Sequence, residues 1–397
     1  MVQQGKWDVV VIGAGIQGVG AAQAMAAAGH SVRLLEREYP AAGTSSRSSK
    51  LIHGGLRYLE TWQWSLVRSS LRERAILLRI APHLVRLVPF HIPVYRGMRR
   101  GPLTIRAGLS LYALLGGLAK DARFSKLARA DWPALDGLRT DGLKAVYRYF
   151  DGQTDDAALC RAVLASACEL QAEFSLGAEV ISGQADSAGW TLQFRQDHEV
   201  HELHASVVIN AAGPWVTAVL DRFLPKPPHR SIEWIGGTHI EVPGALERGI
   251  YYTEAPTDGR AVFHMPWRGH TMIGTTEKAH SAPGNPEPTP EEIDYLRGVF
   301  EHHFPGRDST PIDAWAGLRV LPKGEGAAFR RSRDVTLVPN RTDRPTLVSI
   351  YGGKLTGYRE TAHQVERLVA PTLGPAARRA DTATLRLPAL PLAPPQP

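Results

Sequence analysis

Cysteine is nearly absent: 397 residues include two, Cys160 and Cys168. Two thiols cannot build a disulfide framework, and no Cys/His grouping has the spacing of a zinc site, so a reducing, intracellular setting without a structural metal is expected. Long apolar runs are missing as well. The longest, 107–119, falls short of the roughly 20 residues that a membrane-spanning helix needs. The opening Met-Val-Gln-Gln-Gly-Lys-Trp has no basic region followed by an apolar stretch, so no secretory signal is expected and a cytoplasmic location is the reading. Low complexity is confined to the end, where five of the last ten residues are proline; 381–397 is read as a tail without fixed structure.

Acidic residues are scarce in one place. Between 96 and 129, Asp121 stands alone against eight lysines and arginines, an excess that equals the formal net charge of +7. The rest of the chain is balanced. No helix-turn-helix, zinc or RNA-binding signature accompanies this segment, which argues against a nucleic-acid partner. Its basic clusters flank the apolar Leu109–Ala119. Two readings stay open: a segment lying in the interface of an anionic bilayer, or a buried helix of a second domain with solvated basic ends.

The length exceeds a single core of roughly 250 to 300 residues, so two domains are expected. Trp7–Ile12 is a short apolar strand, followed by Gly13-Ala-Gly15-Ile-Gln-Gly18, an alanine-rich helix and a second strand, Ser31–Glu36. Helices are predicted at 65–80, 155–176, 290–303 and 355–368, and strands at 190–194 and 207–210. Residues 230–320 are rich in β-type segments. The resulting fold class is α/β: a Rossmann-type domain from 1–90, 150–225 and 330–380, and a mainly antiparallel domain from 91–149 and 226–329.

Each part of the first turn has a physical task. Gly13 permits the tight turn, Gly15 lets backbone approach a pyrophosphate, and Gly18 lets helix and strand pack closely. The helix N-terminus then faces the phosphates, and Glu36 is placed to accept from a ribose hydroxyl. FAD and NAD share this fingerprint. The serine-rich loop Thr44-Ser45-Ser46-Arg47-Ser48-Ser49-Lys50 and the second glycine turn at 352–353 favour FAD, with a helix starting at Gly353-Lys354 aimed at the flavin.

The block Thr44-Ser-Ser-Arg-Ser-Ser-Lys-Leu-Ile-His-Gly-Gly-Leu-Arg-Tyr-Leu-Glu60 resembles the signature of the FAD-dependent glycerol-3-phosphate dehydrogenases. Further matches are Asn210–Trp215, Ile273–Thr276, Gly317–Arg319, Arg333–Leu337 and Gly352–Thr356, in order along nearly the whole chain. The wider fold is similar to that of glycine oxidase and sarcosine oxidase. The resemblance implies FAD contacts at Thr44, Ser45, Ser46, Ser49, Lys50, Leu51 and His53, at Gly213, and at Gly353, Lys354, Leu355 and Thr356. It also implies reduction of a quinone or another acceptor. Three departures stand out: Glu277 replaces an Asp, Gly236 replaces a Lys, and only about 30 residues follow Leu368, where the family usually has a helical domain.

A phosphorylated alcohol needs converging cations for its phosphate. Arg57, Arg319, Arg333 and Lys354 lie in four separate loop-like settings suited to that task. Oxidation of the alcohol needs a base for the hydroxyl proton, and His53 and His239 are the candidates. Tyr58 is read either as a phosphate contact or as a packed aromatic, Thr275 and Thr276 as substrate-positioning groups or a strand end. Asp155-Asp156 reads mainly as a helix cap. The alternatives are an amine or 2-hydroxy acid oxidase, which would need a carboxylate clamp, and a flavin-bearing sensor without turnover. Oligomeric state is not legible.

Overall fold

Val9, Val10 and Val11 are each fully buried, as expected of a parallel strand covered on both faces. They belong to β1 (Val2–Ile12), which leads through the glycine turn into α1 (Ile16–Ala28) and back to β2 (Val32–Glu36). The computed structural model describes residues 2–323 and 334–391. β1 pairs in parallel with β2 (Val9↔Val32) and with Glu199–Asn210 (Ile12↔Asn210), and the latter pairs in parallel with Leu347–Tyr351. Glu173–Leu176 adds to β2 on the other side. Every residue of α1 except Gln17 is buried. Its alanines and Gly20 allow this, since a Cβ at Gly20 would come within 2.6 Å of the Tyr358 ring.

The helix predicted over 155–176 divides. It runs as α4 (Asp156–Glu169), Gln171 takes φ +72°, and the chain then enters the strand Glu173–Leu176. The left-handed residue ends the helical path, and Phe174 and Ser175 continue in register with Leu34 and Leu35. The C-terminal helix begins at Tyr358, not at 355.

Among the described residues a second sheet holds ten strands in mainly antiparallel order, with Ile232–Val242 paired to Asp313–Pro322, His270–Gly274 and Lys278–His280. Val85–Tyr95 and Leu143–Thr154 extend it, so the sheet takes residues on both sides of 91–149; even Leu51–Ile52, just after the serine loop, joins its edge. Among the described residues three helices pack on it: α2 (Trp64–Ile80), α3 (Pro102–Leu115) and Pro290–His303, the last where the sequence predicts a helix. α3 buries Ile105, Leu109, Tyr112 and Ala113, while Leu103 and Leu114 remain exposed. No helix among the described residues is long and apolar enough to cross a membrane.

Candidate functional site

A cleft of about 1180 Å³ opens between the two sheets. Single small-ligand pockets run to roughly 1,000 Å³, so a dinucleotide and a second small molecule have room together. One wall is the first glycine turn. Gly13 has φ +99°, and a Cβ there would sit 2.8 Å from the Ala211 carbonyl oxygen, so only glycine fits. Ser45 Oγ accepts from the Ile16 N–H at 2.9 Å, and Glu36 accepts from the Ala14 N–H at 2.6 Å. The Gln17 side chain donates to the Lys354 carbonyl at 3.2 Å and so ties the two glycine turns together.

Of the expected cofactor positions, Gly13, Gly15, Glu36, Thr44, Ser45, Ser49, Leu51, His53, Gly213, Gly353, Lys354, Leu355 and Thr356 line this cleft. Gly18, Ser46 and Lys50 do not. Gly18 lies against the Gly13 carbonyl, where a Cβ would collide, and so serves the packing of the turn. Ser46 lends its carbonyl to Lys50 Nζ. Lys50 turns into a buried ion pair with Asp156, Nζ to Oδ1 2.6 Å. Asp156 also accepts from the Ser48 amide and hydroxyl at 2.9 and 2.7 Å, so it organises the serine loop from behind. Asp155 caps α4 by accepting from the Ala158 N–H. The expected helix start at Gly353-Lys354 is also corrected: three residues of turn separate Lys354 from Tyr358.

The expected substrate residues Arg57, Tyr58, Thr275, Arg319 and Lys354 all face the same cleft. Arg333 lies outside the described residues. Tyr58 is buried, with Lys354 Nζ 4.0 Å and the Arg57 guanidinium 5.3 Å from its ring centroid. The Arg57 Nη2 is buried with no hydrogen-bond partner among the described residues. Arg319 donates to Thr275 Oγ1 at 3.2 Å, and Gly237 makes space for its guanidinium, since a Cβ there would collide with it. Thr276 turns away from the cleft and accepts from the Thr238 N–H at 3.0 Å.

The two histidines are placed differently. His239 is buried, stacks on Trp315 with 5.6 Å between centroids, and meets Ser49 Oγ through Nε2 at 2.9 Å. Burial, aided by the charges of Arg319 and Lys50, pushes its pKa down to about 3. A group so weakly basic is poorly matched to proton abstraction near neutrality. The His53 backbone N–H donates to Thr356 Oγ1 at 3.1 Å, which sets that residue beside the second glycine turn.

Motifs did not reveal four contributors. Arg260 brings a cation to Glu277 from a turn between strands, Tyr252 and Phe263 form an aromatic wall, and Arg37 lies over the Trp215 ring at 4.4 Å next to Glu36. Only Arg37 had a signal, its place directly after the ribose-facing acid.

FAD fits these residues. The Gly13 turn forms a cradle that a side chain would fill, and Gln17 Oε1, a buried acceptor in the lining, has no partner among the described residues. A Rossmann turn joined to an antiparallel sheet, with a shared cleft at the carboxyl ends of the parallel strands, defines a two-domain dinucleotide-dependent oxidoreductase. The family model of FAD dependent oxidoreductases matches residues 8–359. A glycerol-3-phosphate dehydrogenase of Pseudomonas aeruginosa is 37% identical over 93% of this chain and 73% of its own length. A D-erythritol 1-phosphate dehydrogenase of Brucella abortus is 34% identical, over 92% of this chain and 74% of its own. Among solved structures, the FAD complex of the Bacillus halodurans glycerol-3-phosphate dehydrogenase superposes with a TM-score of 0.73 at 28% identity, covering 96% of this chain and 68% of that one. Geobacillus kaustophilus glycine oxidase shares the fold, with a TM-score of 0.67 at 18% identity over 92% of this chain and 94% of that one. The chain thus belongs to the FAD dependent oxidoreductases and, within them, to the FAD-dependent glycerol-3-phosphate dehydrogenase family, with FAD as its cofactor.

Proposed function

We propose that the chain oxidises sn-glycerol 3-phosphate to dihydroxyacetone phosphate. The observation that carries this reading is the meeting of Arg57 and Lys354 on Tyr58 inside the cleft that also holds the Gly13 turn. Two cations on one aromatic ring suit a phosphate dianion. Bound FAD supplies a hydride acceptor for the carbinol hydrogen. Arg57 and Lys354 fix the phosphate, which holds the carbinol carbon in place. His53 takes the hydroxyl proton, while His239, neutral and held by Ser49, keeps the serine loop in position. Electrons then pass to a quinone or another acceptor.

The test is anaerobic. Purified holoenzyme should lose its flavin absorbance on addition of glycerol 3-phosphate. Bleaching by glycine, sarcosine or a 2-hydroxy acid alone would move it to the oxidase class, and no bleaching by any substrate would make it a sensor.

A peripheral membrane contact belongs to the same proposal. Trp62 and Trp64 pack at 5.3 Å and are 77% and 42% exposed, and Leu103 on α3 is 80% exposed. Exposed Arg99 and Arg106 flank Leu103 along the chain, and Arg99 and Thr104 line the cleft. Apolar side chains among cations suit an anionic bilayer. Sedimentation with anionic vesicles at low salt should carry the protein down and high salt should release it; no binding at low salt rejects the contact.

A further inference from the structure

Acids in the wall of a cleft that takes an anion need partners, or they repel it and occupy the cations meant for it. Glu277 has two, Arg319 Nη1 at 3.6 Å and Arg260 Nη2 at 3.4 Å, so that wall stays cationic. Glu60 is placed differently. The short 3₁₀ helix Leu56–Thr61 carries Arg57, Tyr58 and Glu60, and both Arg57 and Glu60 line the cleft. Side chains three apart on a 3₁₀ helix lie one above the other, so this backbone offers Glu60 to Arg57 as a counter-charge. The structure shows another pairing. Arg100, from the basic segment, takes Glu60 with two prongs of its fork, Nε to Oε1 and Nη2 to Oε2 at 2.8 Å. Its remaining Nη1 meets Glu254 Oε1, at the end of Ile250–Glu254. Glu254 is only 9% exposed and does not line the cleft, so the charge that Arg100 balances on the cleft side is that of Glu60. Tyr252 registers all four groups: burial raises the pKa of its hydroxyl, the charges of Arg100 and Arg57 oppose the rise, and those of Glu60 and Glu254 add to it. Arg57 meanwhile keeps Nη2 buried with no hydrogen-bond partner among the described residues.

We infer that Arg100 is a positioning residue for substrate: it holds Glu60 away from Arg57, so that the Arg57 guanidinium stays open to a phosphate dianion. This rests on the proposed oxidation of a phosphorylated alcohol, in which Arg57 binds the phosphate. A bidentate guanidinium–carboxylate pair fixes the plane of the carboxylate as well as balancing its charge. Without Arg100, Glu60 turns to the cation one helical turn before it, and the phosphate must displace a carboxylate to enter. Arg100 thus acts on the substrate through Arg57, and the basic segment takes part in phosphate binding by what it withholds from that arginine.

The test is a double-mutant cycle on Arg100 and Glu60 in holoenzyme. Two constants are read: the KM for glycerol 3-phosphate, and the dissociation constant of inorganic phosphate from phosphorus NMR line broadening, with Arg57→Ala as the background. Arg100→Gln should raise both by on the order of tenfold, while kcat and the ratio of flavin to protein stay near wild type. Arg100→Gln with Glu60→Gln should return both to within about twofold of wild type, because the competing carboxylate is gone. A residue that merely braced the loop would leave the double variant as impaired as the single one. If Arg100→Gln does not fold, Arg100→Lys serves: one ammonium cannot grip both carboxylates, so the constants rise by a smaller factor and Glu60→Gln again lowers them. Unchanged constants in Arg100→Gln, or a rise that Glu60→Gln does not reverse, overturn the role of Arg100 alone. A wild type that binds phosphate above the Arg57→Ala background but is not bleached by glycerol 3-phosphate overturns the substrate reading alone, and the phosphate constants then decide on Arg100. A wild type that does neither overturns both.

Discussion

Lys354 Nζ stands 4.0 Å from the centroid of the Tyr58 ring, within the range of a strong cation–π contact. The same ring takes the Arg57 guanidinium at 5.3 Å, so one aromatic side chain holds two cations from segments nearly 300 residues apart. Neighbouring like charges repel, and a doubly charged anion relieves that repulsion.

Tyr58→Leu should therefore raise the KM for glycerol 3-phosphate by roughly tenfold, the size of a desolvated cation–π contact, and Tyr58→Phe should change it far less. Arg57→Ala should raise it more, on the order of a hundredfold, with FAD content unchanged. Steady-state kinetics beside the ratio of flavin to protein absorbance separates the two effects; parallel loss of flavin would contradict a substrate role.

His53→Asn should lower kcat by about 10² to 10⁴, the usual contribution of a positioned base. His239→Asn should act mainly through the serine loop, reducing flavin retention more than the rate of the enzyme that still holds it. A reversed pattern in single-turnover reduction would exchange their roles.

Gly13→Ala should give protein that folds but purifies without flavin. The added Cβ would meet the Ala211 carbonyl oxygen at 2.8 Å, at a residue whose φ of +99° already excludes other side chains. Far-ultraviolet dichroism near that of wild type, together with absent flavin absorbance, is the expected signature.

Acid sensitivity should trace partly to His91. It is buried, stacked on Tyr251, and its pKa is lowered to about 4 by burial, with Arg148 adding to the effect. Above pH 6.5 the ring is neutral in both folded and unfolded chains. Below it, the unfolded chain gains a proton that the folded one refuses, so stability is lost as pH falls from 6.5 towards 4. Between pH 7 and pH 5 the loss amounts to about 2 kcal/mol, and His91→Phe should remove it. Urea unfolding of wild type and variant at the two pH values checks the difference.

Asp156→Ala should destabilise the protein by about 3 to 5 kcal/mol, because it leaves Lys50 charged and buried without its partner. Lys50→Met with Asp156→Leu should recover part of that loss while leaving the serine loop disordered and flavin binding weak. Chemical denaturation and flavin content report the two consequences separately.

What could be read along the chain was whatever depends on adjacent residues. The Gly13 turn, its strand and Glu36 fall within 30 residues, and each has one physical task. Lys50 misled because its neighbours in the loop are cofactor-facing, while its own side chain answers to Asp156, 106 residues away. The assembly of Glu277, Arg260 and Arg319 was not legible at all. It depends on how Ile232–Val242 pairs with strands on either side, a register that no local pattern determines. The helix division at Gln171 depends on one left-handed residue of a type that rarely signals a turn.

Tyr112 links distant parts of this design. Its hydroxyl accepts from the Gly54 N–H at 2.9 Å and donates to Asp151 at 2.6 Å, and Asp151 in turn takes Arg74 at 2.7 Å. Tyr112 lies on α3, in the basic segment, and Gly54 directly follows His53. The basic segment is therefore not an exchangeable cassette. A chimera that grafts it from another member of the family must carry the tyrosine and its aspartate together, or the loop of His53 and Arg57 loses its anchor although no residue within it has changed.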